Sequence, residues 1–279
     1  MPQQLASFVA QFRGVANWTT RLFVLVGVLF LIVRLYQEAI TIGWTVFAAN
    51  LFGLAVAFVS IIGALLFGSL GWLLCAWSAG IQIDWRASLR VHLASNPSKY
   101  LPGYAWQLLS KRNLLARLST PDNLIGRAFV LEFSSILFSG ALVILWVTTP
   151  ALAAIVLLLC AILLWLVSTR VHFHVLRWCC ASALMGVGWI LHGVAFWVLC
   201  ASITALPVYE LPRFIADLTG GILVGLMAVG VPAGIGIREL VVLSLLAPSP
   251  VLPIALVLSL LRVLVLVAEL GGYFLSSYL

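Results

Sequence analysis

Long runs without charged residues divide most of the chain into segments of the length that crosses a lipid bilayer. About 20 consecutive apolar residues are enough for one helical span. The run from 133 to 169 is too long for a single span, and Thr149 and Pro150 divide it into two helices. The pattern therefore predicts about six full spans. They cover approximately residues 22–40, 45–77, 123–147, 151–169, 182–205 and 253–275.

Two further segments are apolar in part but are broken by glycine and proline. They lie at about 98–112 and 229–247, and the second continues after its break for only about ten apolar residues, which is too short to cross the bilayer. The residues that break them are Pro102, Gly103, Pro232, Gly234 and Gly236. A broken helix at membrane depth is tolerated only where its free backbone groups line a cavity or are buried in protein. We expect two re-entrant hairpins, the first entering from the cytoplasm and the second from the outside.

The order of these segments repeats along the chain. Span, span, broken segment and span occur in residues 22–147 and again in residues 151–279, with Pro102 and Pro232 at closely corresponding positions. Since each half makes three crossings, the second half is inverted relative to the first. Such a repeat with broken helices at matching positions is typical of transporters with a central binding site. A chance coincidence of two proline-containing loops is the alternative.

Composition agrees with a single integral membrane domain over residues 1–279. Hydrophobic residues make up 64% of the chain and charged residues 8%, against about a quarter in soluble domains, which excludes a water-soluble enzyme. The net charge of +7 is explained by loop topology rather than by nucleic-acid binding. Lys and Arg concentrate before the first span and in segments 84–122 and 170–181. The N- and C-termini are therefore expected in the cytoplasm, with the protein in the plasma (bacterial inner) membrane.

Several charges fall where the membrane should not tolerate them. A charge at bilayer depth costs about 2.5 to 3.5 kcal/mol on insertion scales, so each needs a partner or a function. Arg262 and Glu269 lie seven positions apart in the last span, and a neutralising pair between them is one interpretation. Arg238 and Glu239 are adjacent and point about 100° apart on a helix, so they need partners elsewhere, across the bundle or on a ligand.

The broken segments carry the chemistry of an anion site. Arg238 opens a short helix whose first N–H groups are unpaired, and arginine binds phosphate through two parallel hydrogen bonds. Lys99 and Arg112 offer similar contacts on the first segment, where Tyr100 suits a headgroup boundary. Ordinary cytoplasmic charge with an aromatic belt is the alternative for that cluster. His192 is expected to be a packing residue rather than a proton relay.

The two broken segments resemble a known family. KYLPG at residues 99–103, followed by Arg112 and Glu132, is similar to the first signature of the lysylphosphatidylglycerol synthase transmembrane (flippase-like) family. PAGIGIRE at residues 232–239 resembles its second signature, with Ala233 in place of the usual glycine. Arg262 also falls where that family often has an arginine.

The resemblance implies translocation of phospholipids or polyprenyl-linked lipids between leaflets. Some members carry an aminoacyl transferase domain after the membrane part; none follows here, so a stand-alone member without synthase activity is expected. We expect the partners to be membrane lipids, with a homo-oligomer or a lipid-synthesis enzyme as a further partner, and no cofactor, metal or catalytic residue. The expected headgroup-binding residues are Lys99, Tyr100, Arg112, Glu132, Arg238, Glu239 and Arg262.

Two other functions remain open at this point. A membrane-embedded glycosyl or acyl transferase that uses a lipid carrier would need a carboxylate near the broken helices, and Glu239 is the best candidate for that acid or base. A scaffold that recruits other lipid enzymes would need neither Arg238 nor Glu239.

Overall fold

The computed structural model describes most of the chain from residue 50 onwards. The described residues are 50–100, 105–168, 174–204, 206–228, 234, 236–246 and 251–279. The first predicted span, 22–40, lies outside them, as do Pro102, Gly103 and Pro232. Within the described ranges the ordered elements are helices, with no strand.

Nine α-helices follow one another along this part of the chain. They are α1 (Leu51–Ala79), α2 (Trp85–Ser95), α3 (Ala105–Arg117), α4 (Asp122–Thr148), α5 (Pro150–Ser168), α6 (His174–Ala201), α7 (Leu211–Met227), α8 (Ile237–Leu246) and α9 (Val251–Leu275). Two short 3₁₀ helices, Asn96–Tyr100 and Val208–Glu210, precede α3 and α7.

Four of these helices are long and apolar enough to cross a membrane. They contain the segments Leu51–Ala79, Asp122–Thr148, Val175–Ala201 and Ile254–Leu275. The expectation of an all-helical membrane protein is confirmed at this level. The predicted break between α4 and α5 is also confirmed, since α4 ends at Thr148 and Pro150 takes the first position of α5, where its missing N–H costs nothing.

The long helices α1 and α6 form the centre of the bundle and pack closely along their length. Small residues permit this approach: a Cβ on Gly71 would lie 2.9 Å from Met185, and one on Gly188 would lie 3.5 Å from the Ala64 carbonyl oxygen. Helices α4, α7 and α9 pack around this pair. Small residues and close packing take the place of a hydrophobic driving force, which lipid does not supply between helices.

Helix α6 begins earlier than the sequence pattern predicts. Residues 174–181 are helical, although the charge pattern assigned residues 170–181 to a loop. Arg177 accounts for the difference because its guanidinium lies over the Trp77 ring at 5.8 Å and donates to the Trp77 carbonyl oxygen at 3.3 Å. A long arginine side chain can thus occupy a helix end while its charge is satisfied by the end of a neighbouring helix.

Helices α7 and α8 form a hairpin held by close backbone contacts. A Cβ on Gly221 would lie 2.4 Å from Val242 and 3.0 Å from the Arg238 carbonyl oxygen, so a side chain there has no room. Arg213 of α7 donates to the Leu245 carbonyl oxygen at 3.0 Å near the other end of the pair. Gly221 and Gly225, four positions apart on α7, thus let α8 approach closely.

Candidate functional site

A cavity of about 280 Å³ lies at the centre of the bundle. Every described helix except α5 contributes to its wall, together with the 3₁₀ helix that carries Lys99 and Tyr100. Six residues that sequence analysis selected line it: Lys99, Tyr100, Glu132, Gly234, Arg238 and Arg262. The two broken segments, which are far apart in sequence, therefore meet at one polar cavity among apolar helices.

Arg262 of α9, at the cavity wall, binds Glu239 of α8. Its Nη2 donates to Glu239 Oε2 at 2.9 Å, and its Nε lies 2.5 Å from Oε1, in contact but not aligned for a hydrogen bond. The backbone N–H of Gly236 donates to the same Oε2 at 2.8 Å, and Arg262 also donates to the Gly234 carbonyl oxygen at 3.3 Å. Glu239 is thus a structural acceptor that ties α8 to α9.

The turn before α8 depends on two glycines. Gly234 and Gly236 have φ values of +65° and +87°, which side chains other than glycine rarely adopt. A Cβ on Gly234 would also lie 2.7 Å from the Gly225 Cα of α7. The backbones of α7 and the turn therefore approach closely at Gly234, whereas Gly236 has open space around it.

Arg238 is the cation that the surrounding carboxylates do not satisfy. Its side chain is 13% exposed, and its Nε lies 3.9 Å from Glu239 Oε1, too far for a hydrogen bond. Among the described residues, neither Nε nor Nη2 has a hydrogen-bond acceptor. A guanidinium with free N–H donors at a cavity wall can donate parallel hydrogen bonds to an anion.

The predicted pair between Arg262 and Glu269 does not form. Glu269 instead bonds the Lys99 ammonium, which also lies 5.7 Å from the centre of the Tyr100 ring. The hypothesis of a pair within α9 was wrong because each residue meets an opposite charge from a broken segment: Glu239 from α8 and Lys99 from the 3₁₀ helix.

Glu132 also has a partner that sequence analysis missed. Lys111 of α3 is fully buried, bonds Glu132 of α4, and lies 4.1 Å from the centre of the Trp72 ring. The sequence assigned Lys111 to ordinary cytoplasmic charge. A signal was present: Gln107, Lys111 and Leu115 recur every four residues, and all three lie on the buried face of α3.

Arg112 lies outside the cavity, contrary to its predicted role beside Lys99. One position along the helix from Lys111, it points to the surface and donates to both Asp122 oxygens, at 3.1 and 2.8 Å. The two side chains are 51% and 66% exposed. These hydrogen bonds raise the pKa of Arg112, so the guanidinium stays charged.

The ionised groups around the cavity carry a net charge of one positive unit. In the part of the chain that the structure describes, three ion pairs surround it, and Arg238 is the additional cation. The pairs are Lys99–Glu269, Lys111–Glu132 and Arg262–Glu239. A ligand carrying one negative charge would complete the balance.

Neutral polar side chains complete the wall. His92, Gln107, Trp189 and His192 line the cavity, and sequence analysis did not place them there. His192 Nδ1 lies 3.0 Å from the Gly188 carbonyl oxygen of its own helix, in line with a packing role. The described residues contain no group of three or more His, Cys, Asp or Glu placed to hold a metal ion.

Comparison with protein-family models, with curated proteins and with solved structures finds no match for this chain.

Proposed function

We propose that this protein moves a lipid with an anionic headgroup between the two leaflets of the bacterial inner membrane. The observation that carries the proposal is Arg238: a buried guanidinium with free donors at the wall of a polar cavity, inside a bundle of membrane helices. Phospholipids and polyprenyl-linked lipids share a phosphate, which fits a guanidinium through parallel hydrogen bonds. The resemblance of the two broken segments to the flippase-like family points in the same direction.

The charge balance supports a headgroup with net negative charge. All three carboxylates around the cavity already pair with a cation, so Arg238 leaves a net positive charge that an anionic headgroup would neutralise. Lys99 is 32% exposed and the most accessible of the paired cations, and it adds a second donor near the phosphate. Arg262 and Glu239 hold the turn that presents Arg238.

The order of helices supports an architecture of six spans with two re-entrant hairpins in inverted halves, 22–147 and 151–279. In the described part, α1, the α2–α3 pair and α4 are followed after α5 by α6, the α7–α8 pair and α9. Each short pair stands between two long helices. The cavity between the pairs is where an inverted repeat places its transport site.

A transferase that uses Glu239 as acid or base has less support. The Oε2 of Glu239 accepts from both Gly236 and Arg262, and its Oε1 lies 2.5 Å from the Arg262 Nε. A substrate would have to displace the Arg262 guanidinium before it could exchange a proton with this carboxylate. A scaffold function would leave the buried Arg238 without a reason. Lipid translocation accounts for both residues.

Leaflet exchange in liposomes tests the proposal. Purified protein is placed in phosphatidylcholine vesicles with a trace of fluorescent phosphatidylglycerol or phosphatidylcholine, and dithionite added outside bleaches the outer-leaflet label. We expect wild type to accelerate exchange of the anionic lipid more than the zwitterionic one. Arg238→Ala should slow it by about tenfold or more, the effect of losing hydrogen bonds to a charged group. Arg238→Lys should be intermediate, because lysine keeps the charge but not the parallel donors.

Arg127→Ala is the matched control. It removes the same side chain from an exposed position of α4 that does not line the cavity. Equal exchange by wild type and Arg238→Ala would refute the role of Arg238. A folded wild-type protein that accelerates neither lipid would refute translocation of these lipids.

A further inference from the structure

A second, larger cavity lies beside the polar one, between α4, α5, α6 and α7. Its volume is about 830 Å³, within the range of about 300 to 1,000 Å³ typical of ligand sites. Its wall is almost entirely apolar. Residues that represent it are Phe138, Leu142, Trp146, Val187, Ile190 and Ile215.

This cavity borders the lipid-facing side of the bundle. Trp146 is 64% exposed and Ile190 is 42% exposed, and both lie on helices long enough to cross the membrane. An apolar cavity at this position offers water few hydrogen-bond partners, so hydrocarbon fills it more favourably than water. In a bilayer the available hydrocarbon is a lipid chain.

The two cavities share a wall made by α4 and α6. Met185 and Trp189 of α6 face the polar cavity, whereas Gly186 and Ile190, one position further along, face the apolar one. Trp189 Nε1 donates to Ser139 Oγ of α4 at 3.1 Å, and Ser139 lines the apolar cavity. Ser139 in turn donates to a carbonyl oxygen of its own helix. One hydrogen bond between side chains therefore joins α4 and α6 in this wall.

We infer that the apolar cavity binds a hydrocarbon chain of the same lipid whose headgroup phosphate Arg238 binds, and that the Trp189–Ser139 bond closes the passage between them. This inference rests on the proposed function. A lipid joins a charged headgroup to an apolar chain, and the two adjoining cavities have those two characters. The hydrogen bond keeps the polar cavity separate from hydrocarbon until a lipid is bound across the wall.

Photolabelling tests whether chain and headgroup belong to one lipid. Full-length protein in phosphatidylcholine vesicles is irradiated with a small fraction of phosphatidylglycerol that carries a diazirine in one acyl chain, and the labelled residues are found by mass spectrometry. We expect labels on α4 between 138 and 147 and on α6 between 182 and 190. Arg238→Ala should reduce them by about tenfold or more, while Arg127→Ala should not.

A filling substitution tests the cavity itself. A Cβ on Gly186 would meet only Ser139 Cβ, at 3.9 Å, and Gly186 lines the apolar cavity, so Gly186→Leu directs a larger side chain into that space. Gly126→Leu is the matched control, because Gly126 is exposed on α4 with no heavy atom within 4 Å of an added Cβ. We expect Gly186→Leu, but not Gly126→Leu, to abolish most labelling and to slow exchange.

A substitution of Trp189 tests the hydrogen bond between the two cavities. Trp189→Phe keeps most of the ring but removes the donor to Ser139, so labelled phosphatidylglycerol should begin to mark residues of the polar cavity as well. An unchanged pattern in Trp189→Phe would refute the role of this bond.

The outcomes separate this inference from the proposed function. Exchange that needs Arg238 without labels in the apolar cavity would overturn the inference and leave translocation intact. Labels that persist fully in Arg238→Ala would also overturn it, because an independent lipid or a second copy of the protein would then occupy the cavity. Labels that depend on Arg238 in a protein without exchange activity would support the shared site and refute translocation.

Discussion

Breaking the buried pair between Lys111 and Glu132 should lower the stability of the protein strongly. The two side chains are 0% and 3% exposed, so neither charge can reach water if the other is removed. Breaking such a pair costs about 3 to 5 kcal/mol, whereas replacing both members with uncharged side chains of similar volume is often neutral. We therefore expect Lys111→Met alone to destabilise the protein strongly, and Lys111→Met with Glu132→Gln to recover most of the loss.

The surroundings favour this choice of substitutions. Methionine fills the volume of lysine, and its sulfur can make a favourable contact with the Trp72 ring that now lies 4.1 Å from the Lys111 ammonium. At about 2 to 4 °C per kcal/mol for a protein of this size class, the single variant should lower the melting temperature by about 6 to 20 °C.

The double-mutant cycle consists of wild type, the two single variants and the double variant. Thermal unfolding of these four proteins in detergent, monitored by size-exclusion chromatography, measures the coupling between Lys111 and Glu132. We expect a coupling free energy of about 3 kcal/mol. Purely additive effects, or a double variant less stable than Lys111→Met, would refute the conclusion that the two charges stabilise each other.

Two further pairs of substitutions test the geometry around Arg238. Glu239→Gln should lower the melting temperature markedly, since it leaves Arg262 buried without a counter-charge, whereas Asp122→Asn in the exposed pair should change it little; equal shifts in the two variants would contradict this. Gly236→Ala should cost about 1 to 2 kcal/mol from its left-handed backbone alone, and Gly234→Ala more, because its Cβ would also clash with α7. Chemical or thermal unfolding measures both, and a smaller cost at Gly234 would count against the described turn.

Much of the helical architecture could be predicted because lipid imposes simple rules on sequence. Charge-free runs marked the long helices, and Pro150 marked the division between α4 and α5. Glycines before Arg238 marked the second broken segment, where α8 begins at Ile237, as expected from the pattern. These features depend on residues close together in sequence, so they can be predicted from one amino-acid sequence.

The partners of the buried charges could not be predicted, since they depend on contacts between distant segments. Glu269 bonds Lys99 across 170 positions, and Glu239 bonds Arg262 across 23. Spacing within α9 suggested a different pairing for Arg262. Lys111 and Arg112 illustrate the same limit: adjacent cations look alike in sequence, but the rotation of α3 buries the first and exposes the second.

The hairpin of α7 and α8 has a mechanical consequence. It is clasped at one end by Gly225 against Gly234 and at the other by Arg213 against the Leu245 carbonyl oxygen, so the two helices resist bending relative to each other. Arg238 follows the turn that these contacts hold, and its neighbour Glu239 is bound to Arg262 of α9. The guanidinium is therefore presented to the cavity from a backbone that two neighbouring helices fix, which reduces the ordering cost of binding an anion.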